Sequence, residues 1–324
     1  MKPLSPATPA HLRPRQADFA FDLDGALASM VALRARAPKT ASTAETLGVE
    51  RRGSGVVLNA EGLVATVGYL VIEAENIWLT TQEGRVVEAH ALAFDPVSGL
   101  GLVQALQPLP APPVRLGAAM ARQPGDRLIV AGAGGRAGAI VAQLVARQEF
   151  AGYWEYVIDS AMFTTPSHPH WGGAGVLDEA GRLVGVGSLQ IEQDNEKGEK
   201  TLLNMIVPID ALTPALADLV KFGRRPGPAR PWIGLYALEV GDKLVAAGVA
   251  DGGPADQAGL EAGDVLLAID GQRARNLADF WRKLWATGPA GGEATILIER
   301  DDRVLETRVR SIDRISLFKA PVLH

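Results

Sequence analysis

Between Gly172 and Val186 the chain makes a glycine-rich turn, a short apolar run (Gly175-Val176-Leu177), an Ala180-Gly181 turn and a second apolar run (Leu183-Val184-Gly185-Val186). Apolar runs this short, closed off by glycine, read as strands joined by tight turns rather than as helices. The pattern recurs at residues 53–66, where two apolar stretches flank a turn containing Asn59 and Gly62. Asn and Gly suit such a turn because both tolerate left-handed backbone. Further strand candidates lie at residues 31–36, 77–80, 86–92, 127–132, 156–159, 295–300 and 304–309. The chain is therefore expected to be mostly β. Its 324 residues allow about two or three domains at ~100–200 residues each.

Charge and residue usage remove several classes of function. The net charge is −5, with acidic and basic residues interspersed, so no electrostatic footprint for nucleic acid is present. There are no cysteines, which excludes disulfides, thiol nucleophiles and Cys-ligated zinc. No run of ~18 apolar residues exists to span a membrane, and the first residues lack the apolar core of a signal peptide. With Met1 as the native start, the expected location is the cytoplasm. The proline-bearing residues 1–17 read as a mobile arm.

Residues 53–66, Gly53-Ser54-Gly55-Val56-Val57-Leu58 through Thr66, follow the pattern G-S-G-V-I-I-x-x-x-G-Y-I-L-T closely. Residues 95–103, Asp95-Pro96-Val97-Ser98-Gly99-Leu100-Gly101-Leu102-Val103, resemble D-P-x-T-D-L-A-L-L. The turn at residues 172–186 resembles one that reads G-N-S-G-G-P before two strands around a D-G turn. Together these resemble the trypsin-like serine proteases of the HtrA family. The resemblance implies a chymotrypsin/trypsin-like double β-barrel. It also implies a periplasmic setting and a homotrimer, with Phe19 and Phe21 as candidate contacts. Carried over residue by residue, it puts Tyr69 where the family has its catalytic histidine, Gly99 where it has the orienting aspartate, and Gly172 where it has the nucleophilic serine. A glycine cannot attack a carbonyl. The degenerate triad positions Tyr69, Gly99 and Gly172 thus point to a pseudoprotease, and no catalytic residue is assigned.

Residues 253–271, from Gly253-Pro254-Ala255 to Ile269-Asp270-Gly271, match the PDZ pattern S-P-A-x-x-A-G-L-x-x-G-D-x-I-x-x-I-N-G nearly throughout. Upstream, Pro231-Trp232-Ile233-Gly234-Leu235 resembles the PDZ carboxylate-binding loop. The implied peptide site is Trp232, Ile233, Gly234, Leu235 and Tyr236, with Phe280, Lys283 and Leu284 shaping the side-chain pocket. Backbone N–H groups of Ile233, Gly234 and Leu235 cradle a C-terminal carboxylate in this reading, and the following strand accepts an added peptide strand. An alternative is that the PDZ domain serves only as an internal brace. Residues 277–285 carry an amphipathic helical pattern behind Asn276, a good N-cap. The expected organisation is an N-terminal arm and short helix (1–44), the double barrel (45–222), a linker (223–230), an α+β PDZ domain (231–314) and a tail (315–324).

Two other readings stay open. Ser167 with His168 or His170 offers a displaced nucleophile–base pair for an active serine endopeptidase. His168 and His170, two apart in an extended segment, share one side and are weak candidates for a metal site on the same fold. Neither pair has the further ligands or the orienting carboxylate its chemistry needs nearby in sequence. No cofactor is called for, and the expected partner is a peptide or protein C-terminus.

Overall fold

The computed structural model describes residues 8–194, 198 and 200–318. The chain divides into two compact units. Of the described residues, the first comprises 8–148 together with those of 160–225, and the second comprises Glu149–Asp159 together with 226–318.

In the first unit, six strands close a barrel: β1 (Met30–Arg36), β2 (Glu50–Val57), β3 (Leu63–Val67), β4 (Asn76–Thr80), β5 (Val86–Phe94) and β6 (Leu100–Ala105). The strand order is β1-β2-β3-β6-β5-β4, and β1 also pairs with β4. The Asn59 and Gly62 turn joins β2 to β3. Asn59 Oδ1 accepts the Leu63 N–H at 2.8 Å, and Gly62 sits at φ +80°. Val31, Leu33, Val57, Val64, Val103, Ile77 and Leu79 fill the barrel at near-zero exposure.

A second ring follows: β7 (Arg115–Leu116), β8 (Arg127–Ala131), β9 (Ala139–Gly152), β10 (Tyr156–Thr165), β11 (Gly175–Leu177), β12 (Arg182–Asp194) and β13 (Lys200–Pro208). Its order is β11-β8-β9-β10-β13-β12-β7, closed by pairing of β11 with β12. Leu128, Val130, Ile140, Met162, Val176, Val184 and Ile206 form its core.

The second unit holds β14 (Pro231–Trp232), β15 (Leu235–Val240), β16 (Lys243–Val249), β17 (Val265–Ile269), β18 (Gln272–Arg273), the helix Leu277–Ala286, β19 (Glu293–Arg300), β20 (Arg303–Arg310) and β21 (Ile312–Asp313). Asn276 caps the helix as expected, its side chain accepting the Asp279 N–H at 2.8 Å. Leu277, Phe280, Trp281 and Leu284 are buried on one helix face. The double barrel and the α+β second domain match the fold class expected from the sequence.

Several local expectations need correction. The arm is tied down from Thr8 onward: its hydroxyl donates to Ala137 and Ala139 carbonyls at 3.0 and 2.9 Å. Residues 1–7 of that expected arm lie outside the described residues. Phe19 and Phe21 have partners within the chain, Arg127 standing over the Phe19 ring and Gly181 lying against the Phe21 ring. Within the stretch read as a linker, Arg225 belongs to the first unit. It forms a bidentate pair with buried Asp95 at 2.7 and 2.7 Å and also donates to the Ala211 carbonyl. The outer part of the β9–β10 hairpin counts with the second unit, which no local pattern announced.

Candidate functional site

Tyr69 lies against Gly172, and its turn is hydrogen-bonded to Gly99, all within the first unit. Tyr69 lies in a single turn (Gly68–Leu70) that follows β3. The Gly68 N–H donates to the Gly99 carbonyl at 2.8 Å, which ties the Tyr69 turn to the loop before β6. Gly99 itself is at φ +74°, the left-handed region that favours glycine. The Gly172 carbonyl accepts the Ser54 N–H of β2 at 2.9 Å. A β-carbon built on Gly172 would stand 2.8 Å from the Tyr69 hydroxyl oxygen, closer than two unbonded atoms of these types sit. Residues far apart in sequence therefore converge, and a phenol occupies the space a residue-172 side chain would use.

Tyr69 is held there. Its hydroxyl donates to the Ser188 carbonyl at 2.9 Å. Burial pushes its pKa up to about 12, opposed by a hydrogen bond from the Trp171 side chain. It stays a neutral phenol at any physiological pH and is no general base. Tyr69 is half-buried with its hydroxyl satisfied, the arrangement an amphipathic aromatic ring favours. The turn around Gly172 is further fixed by Gly173, whose N–H donates to Gly187 at 2.9 Å. Gly173 sits at φ +76°, and a β-carbon there would run into the Ser54 carbonyl and the Thr66 hydroxyl.

The histidines do other work. His168 is 1% exposed. Its Nε2 lies 2.9 Å from the Gly138 carbonyl, and its Nδ1 accepts the His170 N–H at 3.0 Å. That pattern assigns the proton to Nε2, and burial lowers the pKa so the ring stays neutral. With both ring nitrogens committed, His168 has no lone pair for a metal, and no cluster of three or more His, Asp or Glu able to hold one exists among the described residues. The weak candidates His168 and His170 meet no third ligand among the described residues. Ser167 does not meet an imidazole either. Its Oγ accepts from Gln190 Nε2 at 2.6 Å and Asn204 Nδ2 at 2.8 Å. Asp95, retained beside the degenerate aspartate position, is structural. Burial opposes its charge, but Arg225 and Ser98 outweigh that and hold the carboxyl below its usual range.

In the second unit, the loop read as a carboxylate cradle holds a carboxylate, and it is the chain's own. Glu155 Oε1 accepts from Ile233, Gly234 and Leu235 N–H at 3.1, 2.7 and 3.1 Å, and Oε2 lies 3.3 Å from Ile233 N. Gly234 is at φ +76°, which turns its N–H inward. Trp232 is buried against Gly234, and Tyr236 lies 6.0 Å from the Tyr153 ring. Phe280 and Leu284, read as pocket walls, are fully buried in one cluster with Val157, so no open pocket stands over them. Lys283 pairs with Asp279 at 2.6 Å one helical turn away instead of reaching a ligand.

Residues 53–186 match the family model for a trypsin-like peptidase domain, and residues 245–300 match that for a PDZ domain. The chain is a trypsin-like peptidase domain followed by a PDZ domain. The chain is similar to the putative protease Do-like 14 of Arabidopsis thaliana, 25% identical over 70% of this chain and 58% of that protein. It is similar to the serine endoprotease DegS of Escherichia coli K12, 23% identical over 81% of this chain and 77% of that protein. A probable periplasmic serine endoprotease, DegP-like, from Pseudomonas fluorescens is 24% identical over 78% of this chain and 54% of that protein. Among solved structures, the HtrA-type protease AlgW with a decapeptide superposes with a TM-score of 0.54 at 19% identity, covering 93% of this chain and 100% of that one. The serine endoprotease of Yersinia pestis gives 0.53 at 20% identity, covering 90% and 98%. These likenesses carry the fold of both domains. No helix among the described residues is long and apolar enough to cross a membrane.

Proposed function

We propose that the chain is a catalytically inactive, HtrA-like pseudoprotease that binds peptides or protein C-termini through its PDZ domain, as a scaffold or regulator. The observation that carries this reading is the Tyr69 hydroxyl standing where a residue-172 side chain would project, hydrogen-bonded to Ser188. Acyl transfer needs a nucleophile, a base beside it and free N–H donors for the oxyanion. Here the nucleophile position is glycine and the neighbouring ring is an unionised phenol. The His170 N–H, next to the same turn, is already spent on His168. Loss of a whole triad removes about 10⁶-fold in rate. The periplasmic description of the Pseudomonas fluorescens relative favours an extracytoplasmic setting over the cytoplasmic expectation. A homotrimer remains the assembly the resemblance implies.

Fluorophosphonate labelling with casein cleavage tests the central claim. The expected result is no labelled serine and no cleavage above buffer. Stoichiometric labelling of any serine, Ser167 included, would establish an active endopeptidase in its place.

A further inference from the structure

The occupied cradle of the PDZ domain is built from more than one contact. Residues Tyr153-Trp154-Glu155 form the turn between β9 and β10. The Tyr153 carbonyl accepts the Ala237 N–H of β15 at 2.9 Å. Two residues on, the Glu155 carboxylate takes the N–H groups of Ile233, Gly234 and Leu235. A backbone hydrogen bond therefore joins the segment to the edge of β15, and its carboxylate meets the loop as a chain end does. On the other side, Trp281 Nε1 of the helix donates to the Gly152 carbonyl at 3.0 Å. Arg282 of the same helix bridges Glu149 and Asp159 at the base of the turn. Val157 joins the PDZ core.

Glu155 also bears two costs that a bystander would not. It sits at φ +60°, in the left-handed region where a glutamate is strained. Its carboxylate is taken out of water, the residue being 7% exposed, with the Arg314 guanidinium nearby. The three converging N–H groups act against both costs.

We propose that the Tyr153-Trp154-Glu155 turn is a built-in ligand of the PDZ carboxylate loop, seated where an external C-terminus would bind, so that a partner's C-terminus must first displace Glu155. The displacement step rests on the reading of the domain as a C-terminus receptor; the self-ligation does not. The apparent affinity for any external C-terminus falls by the fraction of molecules in which the loop is free.

Two readouts on the full chain separate the two parts. Amide exchange of Ile233, Gly234 and Leu235, followed by NMR, is expected to be slow in the wild type and at least ~10-fold faster in Glu155→Ala, because the acceptor has gone. Equal rates overturn the self-ligation. For displacement, the probe is a fluorescein-labelled decapeptide pool randomised at its last four positions, made once as the free acid and once as the amide. The free-acid pool is expected to bind Glu155→Ala at least ~10-fold more tightly than wild type, and the amide pool is expected to gain nothing. Equal free-acid binding to both proteins overturns displacement. Faster exchange without carboxylate-selective binding to Glu155→Ala overturns the receptor reading as well, and leaves the turn as a permanent brace. Glu155→Gln keeps one acceptor oxygen without the charge. It provides the same two readouts, with smaller changes, should the alanine variant not fold.

Discussion

Substituting serine for Gly172 puts the proposed loss of function to its most direct test, because it restores the missing hydroxyl on the observed backbone. The β-carbon arrives 2.8 Å from the Tyr69 hydroxyl, while the next nearest atoms, Tyr69 Cζ and Cε2, lie at 3.8 and 3.9 Å, ordinary contact distances. The phenol must therefore move and give up its 2.9 Å bond to the Ser188 carbonyl. A lost hydrogen bond that leaves a shielded carbonyl unpaired costs about 1–2 kcal/mol. Overpacking adds about 1 kcal/mol when the obstructing atom is the end of a side chain that can swing. Gly172→Ser is thus expected to destabilise the trypsin-like domain by roughly 2 kcal/mol. In a Tyr69→Phe background the oxygen is absent and the same substitution should cost close to nothing. The double-mutant cycle should show a coupling of about 1–2 kcal/mol. Urea-dependent native-state hydrogen exchange in β11 and β12 measures all four proteins without assuming that both domains unfold together. Additive effects, with a coupling near zero, would refute the steric argument. Fluorophosphonate should still fail to label Gly172→Ser, since no base faces the new hydroxyl.

Other expectations follow from buried charges. Burial outweighs the three backbone donors and raises the Glu155 pKa from 4.5 to about 7, with the nearby Arg314 guanidinium opposing the shift. The folded PDZ unit then binds this proton more tightly than the unfolded chain, so the contribution is full below about pH 4.5 and is lost as pH rises through 7, by about 3 kcal/mol. Urea unfolding followed by tryptophan fluorescence, to which Trp154, Trp232, Trp281 and Trp285 of this unit contribute, should show wild type losing stability relative to Glu155→Gln between pH 5 and 8. A pH-independent difference would count against it. Arg225→Ala leaves Asp95, 1% exposed, without its bidentate partner and should cost the trypsin-like domain about 3 kcal/mol at pH 7. Because the Asp95 pKa is lowered in the fold, that stabilisation is present above about pH 4 and is lost as pH falls through the folded value, so the two proteins should converge in acid. A gap that stays unchanged down to the lowest pH at which the domain remains folded would mean that the ion pair is not its source.

What could be seen in the sequence divides by range. The β2–β3 hairpin, the helix behind Asn276 and the Gly234 loop rest on neighbours within a few residues, and their chemistry is written in turn and cap residues. The convergence of Tyr69, Gly99 and Gly172 was legible only because each sits inside a motif with well-matched flanks. Contacts between distant residues left no such trace. Arg225 looked like linker because its neighbours are Pro and Gly, and its partner Asp95 lies 130 positions away. Glu155 was missed for the same reason, lying 78 to 80 positions from the N–H groups it meets. One local signal did exist. A three-residue hairpin turn asks for Gly or Asn at its left-handed position, and here that position carries glutamate.

That misfit and the positions Tyr69, Gly99 and Gly172 share a logic: each local arrangement rests on a contact with a distant residue. Gly99 now supplies a left-handed bend whose carbonyl receives Gly68. An L-residue restored there would carry about 1 kcal/mol or more of backbone strain. Gly172 now supplies a carbonyl to Ser54, with a phenol pressed over its α-carbon. Tyr69 now spans from the turn after β3 to the Ser188 carbonyl of β12. The Tyr69 turn is thus tied to Gly99 through Gly68, and its ring takes the space a side chain at 172 would use. On the proposed pseudoprotease reading, a serine at position 172 alone would meet the Tyr69 phenol, and activity would require changes at Tyr69, Gly99 and Gly172 together.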